Sequence, residues 1–114
     1  MQALTRKQFV NTRENKMIYQ PRNWIIVEIT TVSGEKIEKV LATWGISEWK
    51  LNSGNQSWQE FNDYWEFYGY SGSTYVCYKD CYGMNSYMEG IYNNFKHQLE
   101  LGGGNIKIVE GYSV

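Results

Sequence analysis

A chain of 114 residues holds one domain with one core and leaves no room for a second domain of ordinary size. Its hydrophobic fraction of 42% and charged fraction of 20% match globular proteins, which disfavours a disordered chain. A formal net charge of −1, from 11 Lys and Arg against 12 Asp and Glu, argues against a protein that coats phosphate backbone and against an acidic mimic of nucleic acid.

Met1-Gln2-Ala3-Leu4-Thr5-Arg6-Lys7 lacks the apolar segment of a secretory signal. The longest apolar run, Trp24-Ile25-Ile26-Val27, is far short of the roughly 20 residues of a spanning helix. A cytoplasmic protein is therefore expected. Residues 1–22 read as a polar arm ahead of a single domain over 23–114. Thr5 and Gln8 have capping-box spacing for a short helix over Gln8–Asn15, and Pro21 ends the arm.

Trp24–Val32 and Glu35–Thr43 are β-rich and flank Ser33-Gly34. A two-residue loop there sets Glu28 opposite Lys39, Val27 opposite Val40 and Ile26 opposite Leu41. The base of this hairpin is apolar on both faces, which predicts that it is sandwiched while its polar tip projects. Gly45–Ser57 reads as a linker with a turn at Asn52-Ser53-Gly54-Asn55. Tyr64–Tyr70 and Ser73–Lys79 flank a second Ser-Gly pair, Ser71-Gly72. Pairing Tyr70 with Ser73 places Phe67 opposite Val76 and Trp65 opposite Tyr78 on a core face. It places Tyr68 opposite Tyr75, Glu66 opposite Cys77 and Tyr64 opposite Lys79 on the other.

Ser86 and Glu89 form a capping box ahead of Met88, Ile91, Tyr92, Phe95 and Leu99, which fall on one stripe of an amphipathic helix. Gly102-Gly103-Gly104 stops that helix, and Ile106–Glu110 forms a final strand. The expected fold is α+β: one antiparallel sheet of two hairpins and a C-terminal strand, with a single helix across one face.

Motifs for chemistry are missing. Cys77, Cys81 and His97 fall one ligand short of a structural zinc site, so no metal is expected. The cysteine spacing is not that of a redox pair, and two reduced thiols are expected. No nucleophile elbow, phosphate loop or metalloprotease motif occurs. The triple glycine follows a helix and so lacks the helix N-terminus that holds phosphate. No catalytic residue and no cofactor is expected; a small enzyme built from His97, Glu60 and Asp63 ranks last among the readings.

The aromatic fraction of 17% is the unusual quantity, and most of these rings lie between Trp58 and Phe95. Strand-forming Tyr and Trp supply core in any β-rich domain, and that accounts for part of them. The remainder points to a contact surface of Tyr64, Tyr68, Tyr70 and Tyr75, with Lys79 at its edge and Trp49 and Lys50 extending it. Tyrosine gives large amphipathic contact area at low entropy cost.

The stretches Ser47-Glu48-Trp49-Lys50-Leu51-Asn52-Ser53-Gly54 and Phe67-Tyr68-Gly69-Tyr70-Ser71-Gly72-Ser73-Thr74-Tyr75 resemble small accessory proteins of tailed bacteriophages. The resemblance implies a viral protein acting in a bacterial cytoplasm, as the anti-defence proteins that block a host factor do. The leading expectation is thus a non-catalytic protein that docks on a host protein through its tyrosines, or on a second copy of itself. The alternative is a single-strand nucleic-acid module that stacks bases on those tyrosines, with charge from Lys79, Lys50 and Lys96. No membrane partner is expected.

Overall fold

A computed structural model describes residues 8–11 and 16–112, with side chains from Met17 onward. Among the described residues, nine strands follow in chain order: β1 (Gln8–Asn11), β2 (Lys16–Tyr19), β3 (Asn23–Thr30), β4 (Lys36–Trp44), β5 (Glu48–Leu51), β6 (Asn55–Glu60), β7 (Tyr64–Gly69), β8 (Thr74–Tyr78) and, after the helix α1 (Ser86–Leu101), β9 (Asn105–Ile108). They form two sheets. Sheet A runs β1-β2-β8-β7-β6, and sheet B runs β5-β4-β3-β9.

The α+β class is as expected, but the single sheet is not. Strands β3 and β4 carry apolar residues on both faces, and one helix can cover only one of them. Ile25, Val27 and Leu41 meet the α1 stripe of Met88, Ile91, Tyr92, Phe95 and Leu99. Trp24, Ile26, Val40, Ala42 and Trp44 meet Phe67, Tyr75 and Cys77 of sheet A. The second hairpin therefore lies over the first as a separate layer instead of extending it sideways. Sheet B, in the middle, is the sandwiched hairpin base that its composition predicts. Burying each such large apolar side chain contributes about 1.5–3 kcal/mol.

The expected linker supplies two edge strands, β5 on sheet B and β6 on sheet A. Between them Asn52 makes the corner. Its side-chain oxygen accepts from the Val40 N–H (2.9 Å) and the Gly54 N–H (3.2 Å), and its amide donates to Asn55 Oδ1 (2.6 Å). Asn52 is buried, so these bonds satisfy backbone groups that water cannot reach.

The N-terminal arm also departs from expectation. The described part of the proposed short helix, Gln8–Asn11, is strand; Thr5 and residues 12–15 lie outside the described residues. β1 pairs with β2, and β2 joins sheet A in parallel, with Ile18 beside Thr74 and Tyr19 beside Tyr75.

Both hairpins form, and both are one residue out of the expected register. The Thr31 N–H donates to Glu35 O while Gly34 N–H donates to Thr31 O; Gly69 N–H donates to Ser73 O while Gly72 N–H donates to Gly69 O. Each loop thus has three residues, with glycine last at φ 92° and 95°. A two-residue type I′ loop would force serine as well into the left-handed region, whereas the three-residue loop asks this only of glycine. Ile26 consequently faces Val40, Glu28 faces Glu38, and Phe67 faces Tyr75.

Helix α1 begins at the expected cap residue, Ser86, one position earlier than expected. Asn85, not Ser86, caps it, accepting from the Met88 N–H at 2.8 Å. At its end Gly103 takes φ 88°, and a side chain on Gly104 would collide with the Thr30 carbonyl at 2.7 Å. The last glycine lets β9 turn in tightly beside β3.

Candidate functional site

The register of β7 and β8 decides which tyrosines share a face, because a slip of one residue turns a strand over. Phe67, Tyr75 and Cys77 point into the layer between the sheets. Tyr75 is 3% exposed and packs against Tyr19 in a tilted pair with ring centroids 4.9 Å apart. This corrects its expected place on the contact surface: it is a core residue.

The outer face of sheet A carries Tyr64, Glu66 and Tyr68 from β7, with their partners Tyr78, Val76 and Thr74 from β8. β6 adds Ser57 and Gln59, and β2 adds Ile18 beside Thr74. Phe61 stacks on Tyr64 at 4.7 Å and 19°, and Tyr64 lies 5.1 Å from Tyr78. These three rings form one aromatic ridge. The Tyr68 hydroxyl donates to Glu66 Oε1 at 2.5 Å. Burial first, then the bond to Glu66 and its charge, push this phenol up to about 12. It therefore stays a neutral donor and holds its ring against the sheet. No described helix or strand is packed over this face: α1 lies on the far side of sheet B.

The other expected contact residues do not join this surface. Tyr70 stands in the hairpin loop, 62% exposed. Lys79 pairs with Glu60 at 2.6 Å and lies over the Trp65 ring, on the inner side of the sheet edge. Trp49, on β5, packs edge-on against Phe95 of α1 at 5.4 Å. Lys50 lies over the Tyr19 ring at 5.4 Å, beside Lys39 in a separate hollow that also reaches Tyr75. Phe61, Val76, Tyr78 and Ile18 were missing from the expected set. Tyr78 and Val76 entered the expected core only through the shifted register.

His97 is exposed on α1, which packs on the side of sheet B away from sheet A, whereas Glu60 ends β6 and Asp63 lies in the turn between β6 and β7 of sheet A. These three do not form a common site. Among the described residues, no group of three or more His, Cys, Asp or Glu is placed to hold a metal ion. Cys77 is buried and Cys81 half-buried, and they are not joined by a disulfide. No described helix is long and apolar enough to cross a membrane.

Comparison with protein-family models finds no match, and neither curated proteins nor solved structures match the chain significantly.

Proposed function

We propose that this protein is a non-catalytic binding module that docks a protein partner on the outer face of sheet A. The observation that carries this reading is the ridge of Phe61, Tyr64 and Tyr78, with Tyr68 and Val76 beside it, on a sheet face that no described element covers. Half-buried aromatic side chains fixed by their neighbours lose little entropy on binding, which is why such rings anchor protein interfaces.

The charge of the face favours a protein over a nucleic acid. The outward positions of β6, β7 and β8 include Glu66 and no Lys or Arg. A single-strand binder needs cations along the backbone track as well as rings for the bases. Lys79 and Lys50 are engaged elsewhere, at the sheet edge and over Tyr19. A phage-encoded blocker of a host protein would be a module of this kind, and that origin rests on the sequence resemblance alone.

The test is capture from bacterial lysate on immobilised protein, with and without nuclease, using wild type and the Tyr64→Ala/Tyr68→Ala variant. The reading expects one stoichiometric protein that survives nuclease and is lost by the variant. Capture that disappears with nuclease favours the nucleic-acid reading. Self-association that the variant abolishes, seen by sedimentation, assigns the face to a second copy of the chain.

A further inference from the structure

A strand at the end of a sheet carries one row of backbone groups with no neighbouring strand to pair them. β6 closes one end of sheet A, and its residues Gln56–Glu60 are all exposed. The two ends of sheet B, β5 and β9, are four residues long and carry Lys50 and Lys107. Short length and lysine are common guards against the addition of a further strand. β6 is longer and has neither lysine nor proline; its irregularity is a bulge at its start, between Asn55 and Ser57.

Hydrogen bonds fix which groups of β6 face outward. The Phe61 N–H donates to Tyr64 O at 2.8 Å, which makes these two a hydrogen-bonded pair at the β6–β7 turn. Bonded and open pairs alternate along an antiparallel ladder. Gln59 with Glu66 is therefore a bonded pair, whereas Trp58 with Phe67 and Glu60 with Trp65 are open ones. The backbone N–H and C=O groups of Trp58 and Glu60 point away from β7, and no described residue pairs with them.

A second copy of β6 presents the same two outward residues at the same spacing. Turned about a two-fold axis through Gln59, each copy sets its Trp58 against Glu60 of the other, and four main-chain hydrogen bonds close the edge. No like charges meet in this register. Gln59 meets its own copy at the axis, and a carboxamide both donates and accepts. Glu60, held by Lys79 at 2.6 Å, lies across from Trp58, which is 48% exposed. An axis through Glu60 would set two carboxylates face to face. An axis through Trp58 would bring Glu60 against the bulged Gln56.

We propose that β6 pairs antiparallel with β6 of a second copy of the chain, about an axis at Gln59, joining two copies of sheet A into one continuous sheet. The two-fold axis stands perpendicular to that sheet, so the aromatic ridges of both copies lie on the same side. The contact uses the strand edge and not the ridge of Phe61, Tyr64 and Tyr78.

The experiment is sedimentation equilibrium of the full chain from micromolar to millimolar concentration. The samples are wild type, Gln59→Lys, Gln59→Glu and an equimolar mixture of the two variants. Gln59 is exposed, so both variants should keep the fold, which circular dichroism checks. Wild type is expected to dimerise reversibly. Each variant alone sets like charges face to face at the axis and should self-associate about tenfold or more weakly. The mixture sets lysine against glutamate and should recover the wild-type association. The proposal is overturned if wild type stays monomeric to millimolar concentration, if both variants self-associate as wild type does, or if the mixture associates no better than its components. A dimer that Tyr64→Ala/Tyr68→Ala abolishes and the Gln59 variants leave intact also overturns it, and assigns self-association to the ridge. A monomeric wild type whose captured partner is released by both Gln59 variants overturns it by giving the edge to a foreign strand.

Discussion

Sheet B is covered on both faces, by sheet A on one side and α1 on the other, whereas described elements cover sheet A on its inner face alone. The strands record this difference. In β3 the run Trp24-Ile25-Ile26-Val27 is buried throughout, as a strand with two buried faces must be. In β7 the order is Tyr64, Trp65, Glu66, Phe67, Tyr68, and only Phe67 of these is fully buried. Sheet B is thus the scaffold. The outer residues of sheet A contribute less to the fold, which leaves them free to be chosen for a partner.

The two faces of sheet A differ most in what they contribute to stability. Phe67→Ala, in the layer between the sheets, should cost about 3–5 kcal/mol, since Phe67 is fully buried against Trp24 and Tyr112. A chemical denaturation midpoint close to wild type would mean that the sheets are not packed as described. A smaller loss, about 1–3 kcal/mol, is expected for Asn52→Ala. That change strips the Val40 and Gly54 N–H groups of their acceptor at the corner between the sheets. An unchanged midpoint would show that the corner is held by something else.

A pH series reads the protonated side chains held by the fold without mutation. Burial pushes the Cys77 thiol well above its usual value of 9.0 and the Tyr75 phenol far above 10.0. Burial, followed by the charge of Glu38, pushes Tyr112 up to about 12. Each group has a folded value above its unfolded one, so the folded state holds the proton more tightly. Their contribution to stability is complete below about pH 9 and is lost as pH rises through the folded values. Urea midpoints should be level from neutral to about pH 9 and should fall steadily towards pH 12. A level profile through pH 12 would place these groups in water.

The smallest effects on stability belong to the outer face. Removing Tyr64 or Tyr68 should cost roughly 0.2–1 kcal/mol each, the range of cross-strand pairs on a single face.

How much of this was legible in the sequence depends on what decided each feature. The helix stripe from Met88 to Leu99 and the two-faced base of β3 and β4 follow from apolar periodicity, and both are present. The hairpin registers were misread for one physical reason, repeated. Ser-Gly suggests a two-residue loop by position, but serine is poorly suited to the left-handed region, so the loop takes in Val32 or Tyr70 as a third residue. That single residue moved Tyr75 inward and Tyr78 outward and so redrew the candidate surface. The strand character of 48–51 and 55–60 was hidden because both are edge strands rich in polar residues, with six of the seven residues from Gln56 to Asn62 exposed. The buried hydrogen bonds of Asn52 have no signature at all in a linear reading.

Docking on the outer face of sheet A is decided by the affinity of the captured partner for three proteins: wild type, Tyr64→Ala/Tyr68→Ala and Trp49→Ala. The first pair of residues lies on the outer face of sheet A, whereas Trp49 lies against α1 on the other side of the molecule. The expected result is at least about a tenfold loss for the tyrosine pair, with the protein still folded cooperatively, and wild-type affinity for Trp49→Ala. Equal affinities in all three, or a loss confined to Trp49→Ala, would contradict it.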